Sequence, residues 1–170
     1  MDTSELEKHF FGIYEDEADA LFRFVSFRMA DREKALDIVQ ESYFRLWKVM
    51  VEKKPDNVRA YLYRIARNLL IDEYRSKKDT TSLETLIDAG FDVKKEEAVD
   101  SHEKLDLQNA LIILRTLPEK YAEALWLRLV EGWAVQDIAL SLEETESNIS
   151  VRIYRGMKLL RKAIDERQNI

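Results

Sequence analysis

The chain has 170 residues, with 46% hydrophobic side chains, only four glycines and two prolines, and a formal net charge of −6. That apolar fraction supports a folded core, and the scarcity of turn residues disfavours sheets and points to an all-α chain. Cysteine is absent, which excludes disulfides, cysteine zinc sites and thiol nucleophiles, and no apolar run is long enough to span a bilayer, so a soluble cytoplasmic protein is expected.

The acidic total hides a patterned distribution. Residues 59–78 hold six basic and two acidic side chains, and residues 145–167 hold six and three. The segments around them are acidic: nine basic to thirteen acidic over 1–58, three to nine over 79–107, and three to six over 108–144. A polyanion responds to local field rather than to total charge, so two cationic segments are candidates for its contact.

In chain order, helical apolar spacing runs from Ser4 to about Lys78. A helix is predicted over about Arg32 to Val51, burying Ala35, Ile38, Val39, Ser42, Leu46 and Val49. Its opposite side holds Asp37, Gln40, Glu41, Phe44, Arg45 and Lys48, with Trp47 on the flank. An aromatic among charges is either an ordinary exposed ring or an anchor for a protein partner. The next helix follows Pro55, capped by Asp56 or Asn57, and runs to about Lys77. Leu62, Ile65, Ala66 and Leu69 form its expected buried stripe. Arg64, Arg67, Asn68, Ile71, Arg75 and Lys78 gather opposite, beside Tyr61 and Tyr63. Cations neutralise phosphate and rings accept unstacked bases, which suits single-stranded nucleic acid, although core packing is an equally open role for the tyrosines.

Residues 79–104 break the periodicity and read as an acidic linker, with one helical turn around Leu83, Leu86 and Ile87. The layout is therefore two small helical domains, 1–78 and 105–170, on either side of that linker. In the second domain Leu107, Ala110, Leu111 and Leu114 mark one helix. Pro118 opens another, with Ala122, Leu125 and Leu129 buried and Gly132 ending it.

The segment VQDIALSLEETESNISVRIY, residues 135–154, has the pattern of a helix-turn-helix: a short helix from about Ala134 to Ser141, a tight turn, and a long helix from Thr145 or Glu146 to Ile164. Ala139 allows close approach, while Ile138, Leu142, Ile149 and Ile153 form the wedge between the two. On the second helix Met157, Leu160 and Ile164 continue inward, while Ser147, Val151, Tyr154, Arg155, Lys158 and Lys162 face out. Polar groups early in such a helix can reach base edges, and basic ones further along can grip phosphates. Glu143 occupies the turn position where a left-handed backbone is expected, at a cost of roughly 1–2 kcal/mol for a residue with a Cβ.

Four segments in order, DIVQESYFRLWK (37–48), RAYLYRIARNLLIDEYRSKK (59–78), TLPEKYAEALWLRLVEGWAVQDIALSL (116–142) and NISVRIYRG (148–156), resemble the extracytoplasmic-function group of bacterial RNA polymerase sigma factors. The resemblance implies an initiation factor that takes core RNA polymerase to promoter DNA. It implies that Asp37, Gln40, Glu41, Arg45 and Trp47 dock on the polymerase clamp. Tyr61, Tyr63, Arg64, Arg67, Asn68, Asp72 and Arg75 would open and read the downstream promoter element. The loop from about Val51 to Val58 would pocket a flipped base. Arg128, Ser150, Val151, Tyr154 and Arg155 would contact the upstream element as duplex. Family members often carry a basic residue where Ser150 stands, which leaves the preferred upstream sequence open. The resemblance also implies regulation by an anti-sigma protein.

Two other classes compete. A stand-alone helix-turn-helix regulator would use the last helix alone and have no use for the 37–48 face. A helical enzyme would draw on acid pairs such as Glu15 and Asp19, but the chain has two histidines, His9 and His102, and no phosphate loop or nucleophile setting. No enzyme activity, cofactor or metal is expected.

Overall fold

A computed structural model describes the backbone of residues 2–78 and 101–168 and the side chains of residues 2–77 and 107–167. Seven helices make up the architecture, with no strand among the described residues. They fall into two compact units, Met1–Phe91 and Asp92–Ile170. The turn expected around Leu83, Leu86 and Ile87, with most of the expected linker, lies outside the described residues.

The first unit packs α1 (Thr3–Arg28), α2 (Arg32–Glu52) and α3 (Val58–Lys78) against one another. Capping residues set the boundaries. The Asp31 carboxylate accepts from the Glu33 and Lys34 backbone N–H groups at the start of α2. The Asn57 side chain accepts from Ala60 N–H at 2.9 Å at the start of α3. Each cap satisfies donors that a helix N-terminus leaves without an intrahelical partner. Leu21, Phe24 and Val25 of α1, Ala35 and Leu46 of α2, and Leu62 and Ala66 of α3 form the core. Ser42 is also enclosed, and its hydroxyl donates to the Ile38 carbonyl at 2.6 Å. At the edge of the bundle, Lys34 Nζ meets Glu73 Oε1 at 2.7 Å and ties the start of α2 to α3. The hydrogen bond and the charge of Glu73 hold the Lys34 ammonium above the ordinary lysine pKa.

The expected stripe of α2 forms at every position but Val49, and that of α3 forms at Leu62 and Ala66 but not at Ile65 and Leu69. On α2 Tyr43 and Met50 are buried, and Val49 is only half-buried. On α3 the stripe is Leu62, Tyr63, Ala66 and Leu70, while Ile65 and Leu69 are half-buried. The ring of Tyr63 packs at 5.2 Å from that of Phe24, and that large contact fixes the rotation of α3.

The second unit contains α4 (Ser101–Thr116), α5 (Glu119–Leu125), α6 (Val135–Leu142) and α7 (Glu146–Gln168). The α4 helix begins four residues before the expected Leu105. Pro118 lies one position outside α5 as its N-cap. Beyond α5 the chain continues as a π-helical turn, Trp126–Val130, in which Glu131 N–H donates to the Trp126 carbonyl at 3.2 Å. Widening a turn rotates everything after it relative to a regular α-helix. Trp126 and Leu127 consequently enter the core, and Leu129, expected inside, is 52% exposed. Gly132 takes a φ of 69° as the chain leaves this turn.

The α7 helix lies close against α5 at Gly156, where a Cβ would meet Leu125 Cδ1 at 3.1 Å and Tyr121 Cβ at 3.3 Å. The wedge of the helix-turn-helix forms as expected: Ile138, Ala139, Leu142 and Ile149 are buried, with Ile153 half-buried. Glu143 sits between α6 and α7 with φ 56° and ψ 43°, the left-handed conformation anticipated for that position.

Candidate nucleic-acid interface

In the first unit α3 carries the cationic segment. Asn68, Asp72 and Arg75 are exposed, while Tyr61, Arg64 and Arg67 are half-buried along the same helix. The Arg64 guanidinium lies over the Tyr61 ring at 4.3 Å from its centroid. A cation stacked on a ring keeps its charge and its outward donors, and it also holds the ring still. Tyr63 does not belong to this surface. It is 0% exposed, and its hydroxyl points inward to Glu17 Oε2 at a long 3.5 Å. The expectation that Tyr63 faces nucleic acid is therefore corrected: a ring enclosed by α1 and α3 can shape the surface only by supporting it.

The outer side of α2 presents Asp37, Gln40, Phe44, Arg45 and Lys48 to solvent, with Glu41 and Trp47 half-buried. Its charges are partly self-paired. Arg45 Nε meets Glu41 Oε1 at 2.6 Å, and Lys48 Nζ stands 4.2 Å from the centroid of Phe44. Phe44 remains 53% exposed, an aromatic ringed by ionic groups.

The sequence reading missed that α1 extends this surface. Phe10 packs edge-on to Trp47 at 5.2 Å and Tyr43 at 6.1 Å, and Tyr14 packs on Tyr43 at 4.9 Å. The i, i+4 spacing of Phe10 and Tyr14 was the available signal. Tyr43 is enclosed beneath these rings, its hydroxyl has no hydrogen-bond partner among the described residues, and burial pushes its phenol far above the ordinary range. The segment joining α2 to α3 is open to solvent at Lys53, Lys54 and Asp56.

In the second unit the outward side of α7 is continuous. Ser147, Ser150, Val151, Tyr154, Arg155 and Lys158 are all exposed, Tyr154 at 61%, and Lys158 Nζ lies 4.7 Å from the Tyr154 ring centroid. The start of the helix is set by Thr145, whose hydroxyl accepts from Asn148 N–H at 3.1 Å. Arg128 is exposed on the π-turn, but its Nη1 also donates to the Trp133 carbonyl at 2.7 Å. That bond ties the π-turn to the segment leading into α6.

Comparison with known proteins matches both units. Residues 13–80 match Sigma-70 region 2, and residues 108–160 match Sigma-70, region 4. The chain is 27% identical over 147 residues to the RNA polymerase sigma factor SigV of Bacillus subtilis, covering 86% of this chain and 85% of that protein. It is 25% identical over 158 residues to the ECF RNA polymerase sigma factor SigL of Mycobacterium tuberculosis, covering 91% and 88%. Among solved structures, the fold is similar to the sigma factor RpoE bound to the anti-sigma factor NepR from Bartonella quintana, with a TM-score of 0.70 and 23% identity over 93% of this chain and 98% of that one. It is also similar to CnrH in complex with the cytosolic domain of CnrY, with a TM-score of 0.68 and 20% identity over 94% and 90%.

Proposed function

Since the chain belongs to the extracytoplasmic-function group of bacterial sigma factors, we propose how its three surfaces divide the work of initiation. The protein is a transcription initiation factor that associates with core RNA polymerase and confers promoter specificity, with core polymerase and promoter DNA as its partners. A stand-alone helix-turn-helix regulator does not account for the region 2 match over residues 13–80.

The outer side of α2, with Asp37, Gln40, Glu41, Phe44, Arg45, Trp47 and Lys48, is the polymerase-docking surface. Its exposed Phe44 supplies the kind of ring that anchors protein interfaces, and the surrounding ions set its register. Along α3, Tyr61, Arg64, Arg67, Asn68, Asp72 and Arg75 engage the downstream element as its strands separate. Stacked ring and guanidinium offer a platform for an unpaired base and a counter-charge for phosphate. The segment around Lys53 and Lys54 lies at the end of that helix where an extruded base would arrive. On α7, Ser147, Ser150, Val151, Tyr154 and Arg155 meet the upstream element in the major groove, with Lys158 on phosphate and Arg128 supporting from the π-turn.

Reaction chemistry belongs to the polymerase in this reading, and the factor itself is not a catalyst. It works in the cytoplasm beside the polymerase, and among the described residues no helix is long and apolar enough to cross a membrane. An anti-sigma protein regulates it, a reading supported by the sequence resemblance and by the fold shared with the NepR-bound factor.

The observation that carries this assignment is a cation–ring pair on each of the two helices proposed to meet DNA, Arg64 on Tyr61 and Lys158 on Tyr154. Purified protein mixed with bacterial core polymerase is expected to co-elute and to yield promoter-dependent transcripts. Absence of both would overturn the assignment.

A further inference from the structure

A polar chain of three residues crosses the turn into α7, and none of the contacts assigned above uses it. Glu144 Oε1 accepts from Arg152 Nη2 at 2.8 Å, and Glu144 Oε2 accepts from Asn148 Nδ2 at 3.2 Å. Helix capping does not explain it, because Thr145 already holds Asn148 N–H. Nor is a bare carboxylate welcome beside DNA, where phosphates repel it. Arg152, whose side chain is only 17% exposed, neutralises Glu144 from the protein side.

The carboxylate does have one geometric consequence. It can only accept hydrogen bonds, so the Asn148 amide must turn its NH2 toward Glu144. That takes one of the two amide N–H donors. The second N–H and Oδ1 remain, on an exposed side chain in the first turn of α7. One donor beside one acceptor is the pattern by which an Asn amide pairs with N7 and the N6 amino group of adenine. The first turn of a recognition helix is where side chains reach base edges.

We infer that Asn148 reads an adenine in the upstream element, and that Glu144, held by Arg152, is the positioning residue that sets its amide. This rests on α7 being the helix that reads upstream duplex.

The test is selection by the full chain with core polymerase from a promoter library randomised over the upstream element. Parent protein should enrich adenine at one position by about tenfold, the scale of a good bidentate contact. Asn148→Ala should bring that position to near parity and leave its neighbours alone. Asn148→Asp, which keeps the size of the side chain but can no longer donate and sets a second carboxylate against Glu144, should abolish the adenine preference as well. Glu144→Ala should reduce the same adenine preference several-fold, an effect that a purely structural role for Glu144 would not confine to one base. Arg155→Ala is the control and should alter a different position. A parental profile from both Asn148 variants, with Arg155→Ala altered, overturns the inference and leaves the α7 reading standing. If Arg155→Ala also leaves the profile unchanged, both fall. An altered Asn148 profile with an unaltered Glu144→Ala profile removes the positioning role.

Discussion

The two surfaces proposed to meet nucleic acid are built in different ways. On α3 the ring and two of the cations are half-buried, set into a three-helix bundle and backed by Tyr63 and Phe24. On α7 the outward residues stand clear of a small domain that is fixed by a left-handed turn, a π-turn and a close helix crossing. The contrast fits the work proposed for each. Separating strands requires rigid groups that return the unstacking energy, and rigidity comes from embedding the helix in a core. Reading intact duplex requires protrusion, because an α-helix must enter a groove about 12 Å wide. In the first unit, then, substitutions beneath the surface should cost folding, and in the second they should act through the placement of α7.

The largest effect is expected at Tyr63. Removing a fully enclosed ring leaves a cavity, and Tyr63→Ala should cost about 3–5 kcal/mol in denaturant unfolding of the protein. Tyr63→Phe should cost much less, since the ring packed on Phe24 is kept and no cavity opens. If Tyr63→Ala left stability unchanged but weakened binding to a melted promoter strand, the ring would have to face outward, and the proposed contrast would break at its centre.

Gly156 sharpens the other half. Its missing Cβ lets α7 approach Leu125 and Tyr121, so Gly156→Leu must push α7 off α5. Overpacking of this kind should cost about 1–3 kcal/mol, and because the upstream contacts are proposed to lie on α7, upstream-element affinity should fall with stability. Binding to a pre-melted downstream strand should survive. Band-shift titration on the two DNA forms separates the outcomes, and equal loss on both would show that the units do not act separately.

Helix starts were legible to within a residue where their signals are local: Asp56 or Asn57 for α3, Thr145 or Glu146 for α7, and Pro118 for α5, where it caps the helix instead of joining its first turn. The outward side of α7 was legible as well, since its inward positions (Ile149, Ile153, Leu160) alternate cleanly with polar ones. On α3 the rotation was not, because Leu62, Ile65, Leu69, Leu70 and Ile71 surround the helix with apolar groups, and several rotations bury a similar area. Which one forms depends on Phe24 of α1, a tertiary partner that no spacing within α3 reveals. Leu129 was misplaced for another reason. A π-turn adds a residue to one turn without changing the composition, so a regular helical period carried past Trp126 points to the wrong side. The Glu144–Asn148–Arg152 chain escaped because it spans the turn and none of its members lies in the outward stripe.

The smallest effect is expected at Glu143, where the sequence expectation and the structure agree. Its φ of 56° places a side chain in the region that glycine enters without steric cost. Glu143→Gly relieves the clash between Cβ and the following carbonyl, while the freer unfolded chain opposes the gain. The balance should be a stabilisation of about 1 kcal/mol in denaturant unfolding. It should leave the turn in place and the base preferences on α7 unaltered, because φ and ψ need not change. A destabilised Glu143→Gly variant would mean that losing the contacts of the Glu143 side chain outweighs the relief of its backbone. The protruding helix would then depend on the chemistry of its turn as well as on backbone shape, and the contrast with the embedded α3 would narrow.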